Sequence, residues 1–570
     1  MKSAFFILIS MLLVLPTLSY GVQYVDSPPM LQNVTTSVGE VRTGGATKVP
    51  LITWGGDIGT IMANGNRTVT TPTSIFGKQN LNLQLVRMDD FKKQVQAYIR
   101  GDMPYLRGTM GMLSMAAEVL NKDLRTKPVI IYQHTWSNGG DCLVVKSGIN
   151  SAKDLKGKTV AVQAYGPHVD YLAKLLRDSG LQMSDITIKW VSDLTGSDNS
   201  PAEALHDKAV DAAMVIIPDG LMLTSDGKVG TGAEGSVKGA RIMLSTKSAN
   251  RIIADVYAVR SDFFKNHRDE VRRFVHGLLL AEQKLKKVFK NKGQEKDYHE
   301  IVRASAEILL DSAAATGDAA ALYGDCEYVG LAGNIKFFSD TNWPRNFEIV
   351  GREIQSSFVT VGLLKSQSPL GQANWDYHTL AKGLSGVEAV SGPRFNPDTV
   401  AQVVAKKQAM GTLAEGELFS FEVFFKPNQN SFVAASYKDA FGRVVELAST
   451  YGGAVITVEG HSDPLGYLRK KKNKASEIVL KRIQQAAKNL SMTRGVAVRK
   501  SVMDYAESKN INLDQSQFTV IGHGIMQPKS GMCGHLPCPP KTKEEWLGNM
   551  RVVFRIIQIE AEESAFRPLN

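Results

Sequence analysis

Short apolar runs alternate with amphipathic stretches from about residue 46 to residue 375. Strands that alternate with helices are typical of parallel α/β sheets, so this part of the chain is predicted to be an α/β domain. Two longer amphipathic helices, Arg268–Phe289 and Tyr298–Ala313, follow its last strands. The predicted strands are Val49–Trp54, Leu81–Val86, Val129–Tyr132, Cys142–Val145, Thr159–Val162, Ile186–Trp190 and Ala212–Ile217, and the helical stretches between them include Asp90–Arg100, His168–Ser179 and Ala202–Asp207.

The pattern changes after residue 375. The next forty or so residues hold the turn dipeptides Gly392-Pro393 and Asn396-Pro397 around one polar helical stretch, which predicts a linker. A second alternation of strands and helices begins near Leu418. The predicted boundaries are therefore 46–375 for the first domain, 376–416 for the linker, 417–558 for a second module and 559–570 for a tail.

The first residues have the pattern of an export signal. Lys2 precedes an apolar run, Ala4–Pro16, and a small-residue cleavage site ends at Gly21, so residues 1–21 are predicted to be a signal peptide. An uncleaved anchor is the alternative, although the run is short for a bilayer span. Residues 22–45 are polar and turn-rich, and are predicted to form a loose lead-in. The expected location is the periplasm or cell envelope.

Composition narrows the class of protein. Of 570 residues, 43% are hydrophobic and 22% are charged, which excludes a wholly disordered chain and a polytopic membrane protein. Lys and Arg number 67 against 56 Asp and Glu, and the resulting net charge of +11 favours anionic neighbours without choosing among them. Nucleic acid is not expected as a partner, because export is predicted and no groove-reading motif is present.

The mature chain has four cysteines, Cys142, Cys326, Cys533 and Cys538. Cys533 and Cys538 flank a loop that contains Gly and Pro, and they are predicted to form a disulfide, as an exported protein permits. A zinc site of these two residues with His535 is the alternative, and it ranks lower because no second Cys pair lies near. Whether Cys142 pairs with Cys326 stays open. No resident metal and no cofactor are predicted.

Four motifs occur in order in the second module. They are Gly460-His461-Ser462-Asp463, Leu490-Ser491-Met492-Thr493-Arg494, Gly522-His523-Gly524 with Pro528, and Asn549-Met550-Arg551-Val552. This ordered set resembles the OmpA-like peptidoglycan-binding domain, whose pattern is GH[ST]D, LSxxR, GxG with a later Pro, and NxRV. The resemblance covers about 417–558 and implies an α+β domain of the βαβα(β) type.

The resemblance also implies a ligand, the zwitterionic diaminopimelate of the peptidoglycan stem. By motif position, Asp463 would pair its ammonium group and Arg494 would bind a carboxylate through two parallel hydrogen bonds. Asn549 and Arg551 belong to the same predicted set, in a supporting role. A helix that opens near Ser491 would add backbone N–H groups for the anion.

Two features depart from that family's pattern. The stretch between Asp463 and Arg494 is longer than usual, and it holds a Lys-rich run and an expected extra helix, Ala475–Asn489. Gly495 stands where the family usually has Ala. The sequence leaves open whether the insertion at 467–489 closes the pocket. The competing explanation is that the acid caps a turn and the arginine makes a structural ion pair.

The first domain contains three short motifs, Trp54-Gly55-Gly56-Asp57, Asn138-Gly139-Gly140-Asp141 and Asp154-Leu155-Lys156-Gly157-Lys158, the last before a strand, a turn and a helix. With these motifs the domain resembles a second family, the substrate-binding proteins of ABC importers that take up taurine, sulfonates, nitrate or thiamine precursors. The resemblance implies a two-lobed, type II-like periplasmic binding protein clam-shell, with a second lobe over about 146–258 and closure about a hinge. It also implies an ABC transporter permease as membrane partner.

In such a clam-shell the carboxyl ends of the strands face a shared crevice in which a small solute binds. His168 lies at the same edge, but it is better explained as a helix-start residue. Two acids in the crevice suit a zwitterionic solute better than a purely anionic one, and both classes stay open. The predicted cleft residues are Trp54, Asp57, Thr109, Ser137, Gln163, Tyr165 and Asp219.

No nucleophile elbow, phosphate-binding loop or zinc-protease motif is present, so the chain is predicted not to be an enzyme. The predicted function is an exported binding protein that holds a small solute and anchors non-covalently to peptidoglycan. The alternative is an envelope structural or assembly protein whose first domain is a protein interaction surface. An enzyme acting on wall fragments ranks third, since no carboxylate pair has a recognisable spacing.

Overall fold

The computed structural model describes residues 21–557 except 43, 234, 292–295, 386–394 and 412–416. The predicted signal peptide, apart from its last residue, and the predicted tail lie outside the described residues. None of the described helices combines the length and the apolar run that crossing a bilayer requires.

The front module, residues 21–385, passes through a first lobe, then a second lobe, and returns to the first. Its first pass forms β1 (Tyr24–Val25), α1 (Met30–Asn33), β2 (Thr47–Leu51), α2 (Asp57–Ala63), α3 (Ile75–Lys78), β3 (Leu83–Arg87), α4 (Phe91–Arg100), β4 (Tyr105–Thr109), α5 (Met110–Leu120) and β5 (Pro128–Ser137). The second lobe holds β6 (Asp141–Val145), β7 (Thr159–Gln163), α6 (Val169–Asp178), β8 (Thr187–Val191), α7 (Pro201–Ala204), β9 (Ala212–Ile216), α8 (Ile217–Leu223) and β10 (Arg241–Ser245). The return forms β11 (Ala254–Arg260), α9 (Ser261–Asn266), α10 (Arg268–Lys290), α11 (Lys296–Leu310), α12 (Thr316–Gly324), β12 (Cys326–Tyr328), α13 (Gly330–Ser339), α14 (Phe347–Thr360), β13 (Gly371–Gln372) and α15 (Tyr377–Leu380).

The sheets of the two lobes differ in strand direction. In the second lobe the order is β1-β8-β7-β9-β6-β10, and β7 is parallel to both β8 and β9. In the first lobe the order is β12-β5-β11-β4, and all three of these pairings are antiparallel. The prediction of parallel sheets therefore holds for the middle of the second lobe and for the separate pair β2 and β3 of the first lobe, and it is wrong for the β12-β5-β11-β4 order. The reason is that β5 leads out of that lobe and β11 leads back into it.

The chain crosses between the lobes at 138–140 and again at 246–253. The sheet of the second lobe therefore spans 141–245, rather than the expected range of about 146–258. The return boundary moves because β11 pairs with β4 and β5, which places it in the first lobe. These two crossing segments connect the lobes covalently, in addition to the N-terminal segment that precedes β2.

Residues 22–42, here named the N-terminal strap, run from the second lobe to the first. β1 pairs with β8, and the side chains of Met30 and Val34 are buried in the core shared with α5. Further on, the amide of Gly39 donates to the carbonyl of Ile99, 3.0 Å away. The lead-in is packed rather than loose, because backbone pairing and two apolar side chains hold it to both lobes.

The C-terminal module is a four-stranded sheet with helices on both faces. Its sheet order is β14-β19-β15-β16, with β15 parallel to β16 and antiparallel to β19. Its elements are α16 (Pro397–Ala409), β14 (Glu417–Phe424), α17 (Lys438–Thr450), β15 (Val455–His461), α18 (Leu465–Lys472), α19 (Glu477–Glu507), β16 (Phe518–Gly524), β17 (Met532–Cys533), β18 (Leu536–Pro537), α20 (Lys543–Gly548) and β19 (Arg551–Ile557).

Helix α16 comes from the predicted linker but packs as part of this module. Val400, Val403 and Val404 are buried against Val455 and Ile557 of the sheet, on the face opposite to α17 and α19. This contact could not be predicted from the sequence, because helix α16 shows only a short apolar stripe between polar residues.

A group of charged side chains, here named the interface cluster, joins both lobes to the C-terminal module. Lys174 and Asp178 lie on α6, Glu353 on α14, and Arg443 and Glu446 on α17. The Lys174 ammonium lies 2.9 Å from both Asp178 and Glu446, and the Arg443 guanidinium lies 3.0 Å from Asp178. Burial opposes ionisation of Glu446, yet Lys174 and Arg443 hold its pKa down to about 2. The cluster is therefore a charged junction of three helices rather than a set of surface pairs.

Candidate ligand sites

Asp57 lies in the interior of the first lobe, not on the surface of a crevice. Its side chain is fully buried, and the Arg107 guanidinium lies 2.9 Å from it and 2.8 Å from Asp255. The Tyr257 hydroxyl also donates to Asp57, at 3.2 Å. Burial raises the pKa of Asp57 to about 7, although Arg107 opposes the shift. The arginine and the two acids satisfy one another, so Asp57 offers no free charge to a solute.

Trp54 lies at the junction of the lobes. Its indole N–H donates to the Thr135 hydroxyl at 3.1 Å, and the ring lies against Gly140 in the first crossing segment, where an added Cβ would come within 2.5 Å of the indole. The preceding strand leads into Gly55, where an added Cβ would meet the carbonyl of Leu322 at 1.8 Å. Helix α12 therefore covers the glycine turn between the predicted cleft residues Trp54 and Asp57.

Ser137 and Thr109 are buried and bonded within the protein. The Ser137 hydroxyl donates to Asp141 at 2.5 Å, and its oxygen lies 2.8 Å from the Thr246 hydroxyl. Asp141 also receives a hydrogen bond from His168, 2.7 Å away, at the start of α6. His168 is thus the helix-start residue that the sequence predicted. Thr109 caps α5 by accepting from the amide of Met112.

Three predicted cleft residues lie on the second lobe. Tyr165 has a left-handed backbone, with φ of +59°, and its hydroxyl donates to the carbonyl of Pro28 in the N-terminal strap. Gln163 donates weakly to the carbonyl of Ser192, at 3.4 Å, and Asp219 accepts from Thr195 at 3.1 Å. The Tyr165 hydroxyl is therefore hydrogen-bonded to the strap. No local sequence pattern indicates this contact.

The second lobe also contains a carboxyl group that the sequence did not single out. Asp170 on α6 is buried, and within the described part of the chain neither carboxylate oxygen has a hydrogen-bond partner. Burial raises its pKa to about 8. The group lines a cavity of about 10 Å³, which is too small for a solute.

Arg494 in the C-terminal module is a buried guanidinium without a carboxylate partner among the described residues. Its Nε donates to the carbonyl of Gln429 at 2.9 Å, one terminal nitrogen to His461 at 3.1 Å and the other to Lys426 at 3.3 Å. The group also lies over the ring of Phe425. Burial lowers its pKa to about 10, so it stays charged at neutral pH.

Asp463 lies two residues after His461, so its Cα is within about 8 Å of the residue that Arg494 binds. One carboxylate oxygen accepts from the amide of Leu465 at 2.8 Å, and the other accepts from the Asn549 amide at 2.9 Å. Burial raises the pKa of Asp463, and the Asn549 hydrogen bond opposes that shift. Among the described residues no cation forms an ion pair with it.

The remaining predicted wall-site residues orient other groups. Asn549 is buried, and besides Asp463 it binds Ser530 through both its amide nitrogen and its oxygen. Arg551 lies 3.0 Å from Glu422 on the neighbouring strand. Asn549 therefore holds the carboxylate of Asp463, whereas Arg551 forms a sheet ion pair.

The helix that carries Arg494 begins earlier than expected. A helix start near Ser491 is wrong, since α19 begins at Glu477 and continues without a break. No Gly or Pro interrupts residues 477–494, so the expected extra helix and the motif helix are one. The amides near Ser491 are used inside the helix and offer no anion site.

The insertion at 467–489 does not supply the groups that bind Arg494. Its residues Tyr467 and Leu480 pack with Ile525 in a small cluster of their own. The carbonyl groups that cover the guanidinium come instead from Lys426 and Gln429, after β14, and from His461 at the end of β15. The predicted disulfide between Cys533 and Cys538 is confirmed, and Cys142 and Cys326 are buried thiols rather than a second bridge.

Comparison with known proteins adds a family match in the front module. Residues 76–287, well short of half the chain, match the family described as NMT1/THI5 like. A comparison with curated proteins found no match.

Several solved structures resemble the front part of the chain. The periplasmic aliphatic sulphonate binding protein SsuA from Escherichia coli is 14% identical, with 61% of this chain and 98% of that chain covered and a TM-score of 0.39. The periplasmic nitrate-binding protein NrtA from Synechocystis PCC 6803 is 11% identical over 61% of this chain and 90% of that chain, with a TM-score of 0.40. The desulfurization enzyme DSZB is 16% identical over 57% of this chain and 95% of that chain, with a TM-score of 0.36.

Proposed function

We propose that this protein is an exported, non-enzymatic binding protein whose C-terminal module attaches it to peptidoglycan by gripping the diaminopimelate of the stem peptide. The front module is proposed to hold a small anionic or zwitterionic solute between its lobes and to serve an ABC importer. The observation that carries the wall proposal is the pair Arg494 and Asp463, an arginine and an acid that lie close in the chain fold without counter-ions among the described residues.

Diaminopimelate carries the opposite charges that Arg494 and Asp463 lack as partners among the described residues. Diaminopimelate presents a carboxylate and an ammonium group at its free end, and a buried charge is costly unless an opposite charge pairs with it. The Arg494 fork suits a carboxylate, and Asp463 suits the ammonium. Asn549 supports this proposal because it fixes the orientation of the acid before any ligand arrives.

Access to the guanidinium requires a local rearrangement. Arg494 has no exposed surface, and the carbonyl groups of Lys426 and Gln429 occupy two of its nitrogens. A ligand carboxylate must displace at least one of them, so binding is expected to move the segment at 426–429. This movement offers a readout that does not depend on the wall itself.

The wall proposal is tested by sedimentation of the full chain with isolated peptidoglycan sacculi. We expect the protein to co-sediment, and free diaminopimelate to release it. Asp463→Asn and Arg494→Lys should each lower the retained fraction at least tenfold, since one removes the charge and the other the planar fork. Sacculi with lysine in place of diaminopimelate should retain less protein, because the carboxylate for Arg494 is missing.

Matched controls lie on the same helix. Arg482→Lys and Asp504→Asn change an exposed arginine and an exposed acid of α19, and they should sediment like the natural chain. Thermal unfolding of every variant shows whether it is folded. Equal retention of all four variants, or no competition by free diaminopimelate, would contradict the proposal.

The solute proposal rests on the two-lobed architecture, the two crossing segments and the family match at 76–287. A bound solute stabilises the folded state by mass action, so a small anion or amino acid that binds should raise the melting temperature in a dose-dependent way. The burial of Asp57 and the occupation of Tyr165 by the strap favour the second candidate, a front module that acts as a protein interaction surface. If a broad panel of anions and zwitterions leaves the melting temperature unchanged, the second candidate stands.

A further inference from the structure

We propose that Glu459, His461 and His523 form a zinc site inside the C-terminal module. The three side chains come from the ends of β15 and β16, and all are buried. Their nearest nitrogen and oxygen atoms lie within 4.8 Å of one another. Two imidazoles and one carboxylate with an open fourth position are a ligand set that zinc commonly takes in proteins.

His461 presents an unused lone pair to the other two residues. Its Nδ1 lies 2.9 Å from the carbonyl of Gln527, and a carbonyl can only accept, so Nδ1 carries the ring proton. The Nε2 atom is therefore unprotonated. It is buried and has no hydrogen-bond partner among the described residues, although a buried acceptor is normally satisfied. A metal ion is the partner that this geometry fits.

Glu459 is held so that one oxygen stays available. Its Oε1 accepts from the Thr457 hydroxyl at 2.7 Å and from Arg555 at 3.0 Å. Its Oε2 faces Nε2 of His523, 3.3 Å away. Two ligand atoms at about 2.0–2.1 Å from a tetrahedral zinc ion are separated by roughly 3.3 Å, so this edge of the site is already formed.

His523 has an outer partner in Gln408 of α16, whose amide lies 3.0 Å from Nδ1. The amide nitrogen faces Nδ1, so Nε2 carries the proton that Glu459 accepts. Turning the amide exchanges its oxygen and nitrogen, so that the oxygen accepts from Nδ1–H and Nε2 is free for the metal. In that orientation each of the three ligands has an outer hydrogen bond on an atom that faces away from the centre. Such outer bonds orient the ligands of protein metal sites.

The nearby cations are already paired with acids of the sheet. Arg555 forms an ion pair with Glu417 as well as Glu459, and Arg551 lies 3.0 Å from Glu422. The two arginines nearest to the proposed zinc site therefore already have carboxylate partners. Because Gln408 belongs to α16, the same ion would connect this helix to the sheet of the module.

The test uses the full chain, purified without reductant so that the Cys533–Cys538 bridge stays closed, and stripped of metal with a chelator. Zinc content after dialysis, and competition with a chromogenic chelator, give stoichiometry and affinity. We expect one zinc per chain and a higher melting temperature with zinc than without it. His461→Asn keeps a donor near the Nδ1 position but removes Nε2, and it should weaken binding at least 100-fold.

Gln408→Ala removes only the outer partner and should weaken binding by about 10- to 100-fold. His535→Gln, an exposed histidine of the disulfide loop, is the matched control and should bind zinc like the natural chain. If His461→Asn does not fold, X-ray absorption of the zinc-loaded natural chain decides, and two imidazole ligands are expected. Zinc binding that is equal in His461→Asn, or a zinc environment with fewer than two imidazoles, would overturn the site. These measurements involve no peptidoglycan, so their outcome is independent of the wall proposal.

Discussion

Arg107 in the front module and Arg494 in the C-terminal module are both buried, but they differ in how their charge is compensated. Arg107 lies between Asp57 and Asp255, so carboxylates of the front module balance its charge inside the protein. Arg494 binds three backbone carbonyls and has no carboxylate partner among the described residues. Both are fully buried, so burial alone does not separate a structural charge from one that awaits a ligand. What separates them is whether the protein itself supplies the counter-ion.

The largest expected effect comes from removing each arginine in turn. Arg107→Met leaves two carboxylates buried without a cation, and it should lower the free energy of unfolding by about 3–5 kcal/mol. Arg494→Met leaves only backbone carbonyls without a donor, and it should cost about 1–3 kcal/mol. Chemical denaturation monitored by circular dichroism measures both. Arg100→Met, at an exposed ion pair with Asp102, should cost less than about 1 kcal/mol. Equal losses for Arg107→Met and Arg494→Met would remove the distinction between the two sites.

The next effect concerns Asp170, a front-module carboxyl that has no hydrogen-bond partner among the described residues. The raised pKa of Asp170, about 8, means that the folded protein keeps the proton while the unfolded chain loses it near pH 4. Its contribution to stability is therefore complete below about pH 4 and declines as the pH rises toward 8, by up to about 1.4 kcal/mol per pH unit. Asp170→Asn should flatten this part of the pH profile of unfolding.

Asp226→Asn, at an exposed acid of the same lobe, provides the control and should leave the profile unchanged. An Asp170→Asn profile that falls as steeply as that of the natural chain between pH 4 and 8 would show that other groups cause the decline.

The smallest effect tests how closely α19 approaches the sheet beneath Arg494. A Cβ added at Gly495 would lie 2.6 Å from a methyl carbon of Val520 and 3.2 Å from the carbonyl of Val458. Gly495→Ala should therefore cost about 1–3 kcal/mol of stability. Gly466→Ala on α18 meets open space and should be neutral or stabilising by up to about 1 kcal/mol. If Gly495→Ala stabilised the protein, α19 would have to move away from the sheet at little cost in free energy.

The sequence predicted well those features that depend on neighbouring residues. Strands such as 159–162 and 212–217, the helix over 268–289 and the Cys533–Cys538 bridge agree with the structure within a few residues. Each depends on a local pattern, either an apolar run, a helical stripe or a short loop between cysteines.

The features that the sequence missed depend on contacts between distant segments. Arg107 is 148 residues from Asp255, and no pattern around Asp57 indicates that a cation covers it. Tyr165 and Pro28 are 137 residues apart, so the sequence does not indicate that the strap binds Tyr165. The same limit applies to His523 and Glu459, which only the parallel pairing of β15 and β16 brings together.

The interface cluster has a mechanical consequence. A binding module on a flexible linker would rotate freely relative to the rest of the protein. Here Asp178 of the second lobe accepts hydrogen bonds from Arg443 and Tyr451 of the C-terminal module. Glu353 of the first lobe forms an ion pair with Arg177 of the second lobe, so both lobes take part in the junction. With the C-terminal module attached to a fixed polymer, the gap between the lobes would point in one set direction. Rotation of the front half would then be as slow as that of the polymer, and any membrane protein that docks there would meet a target already facing it.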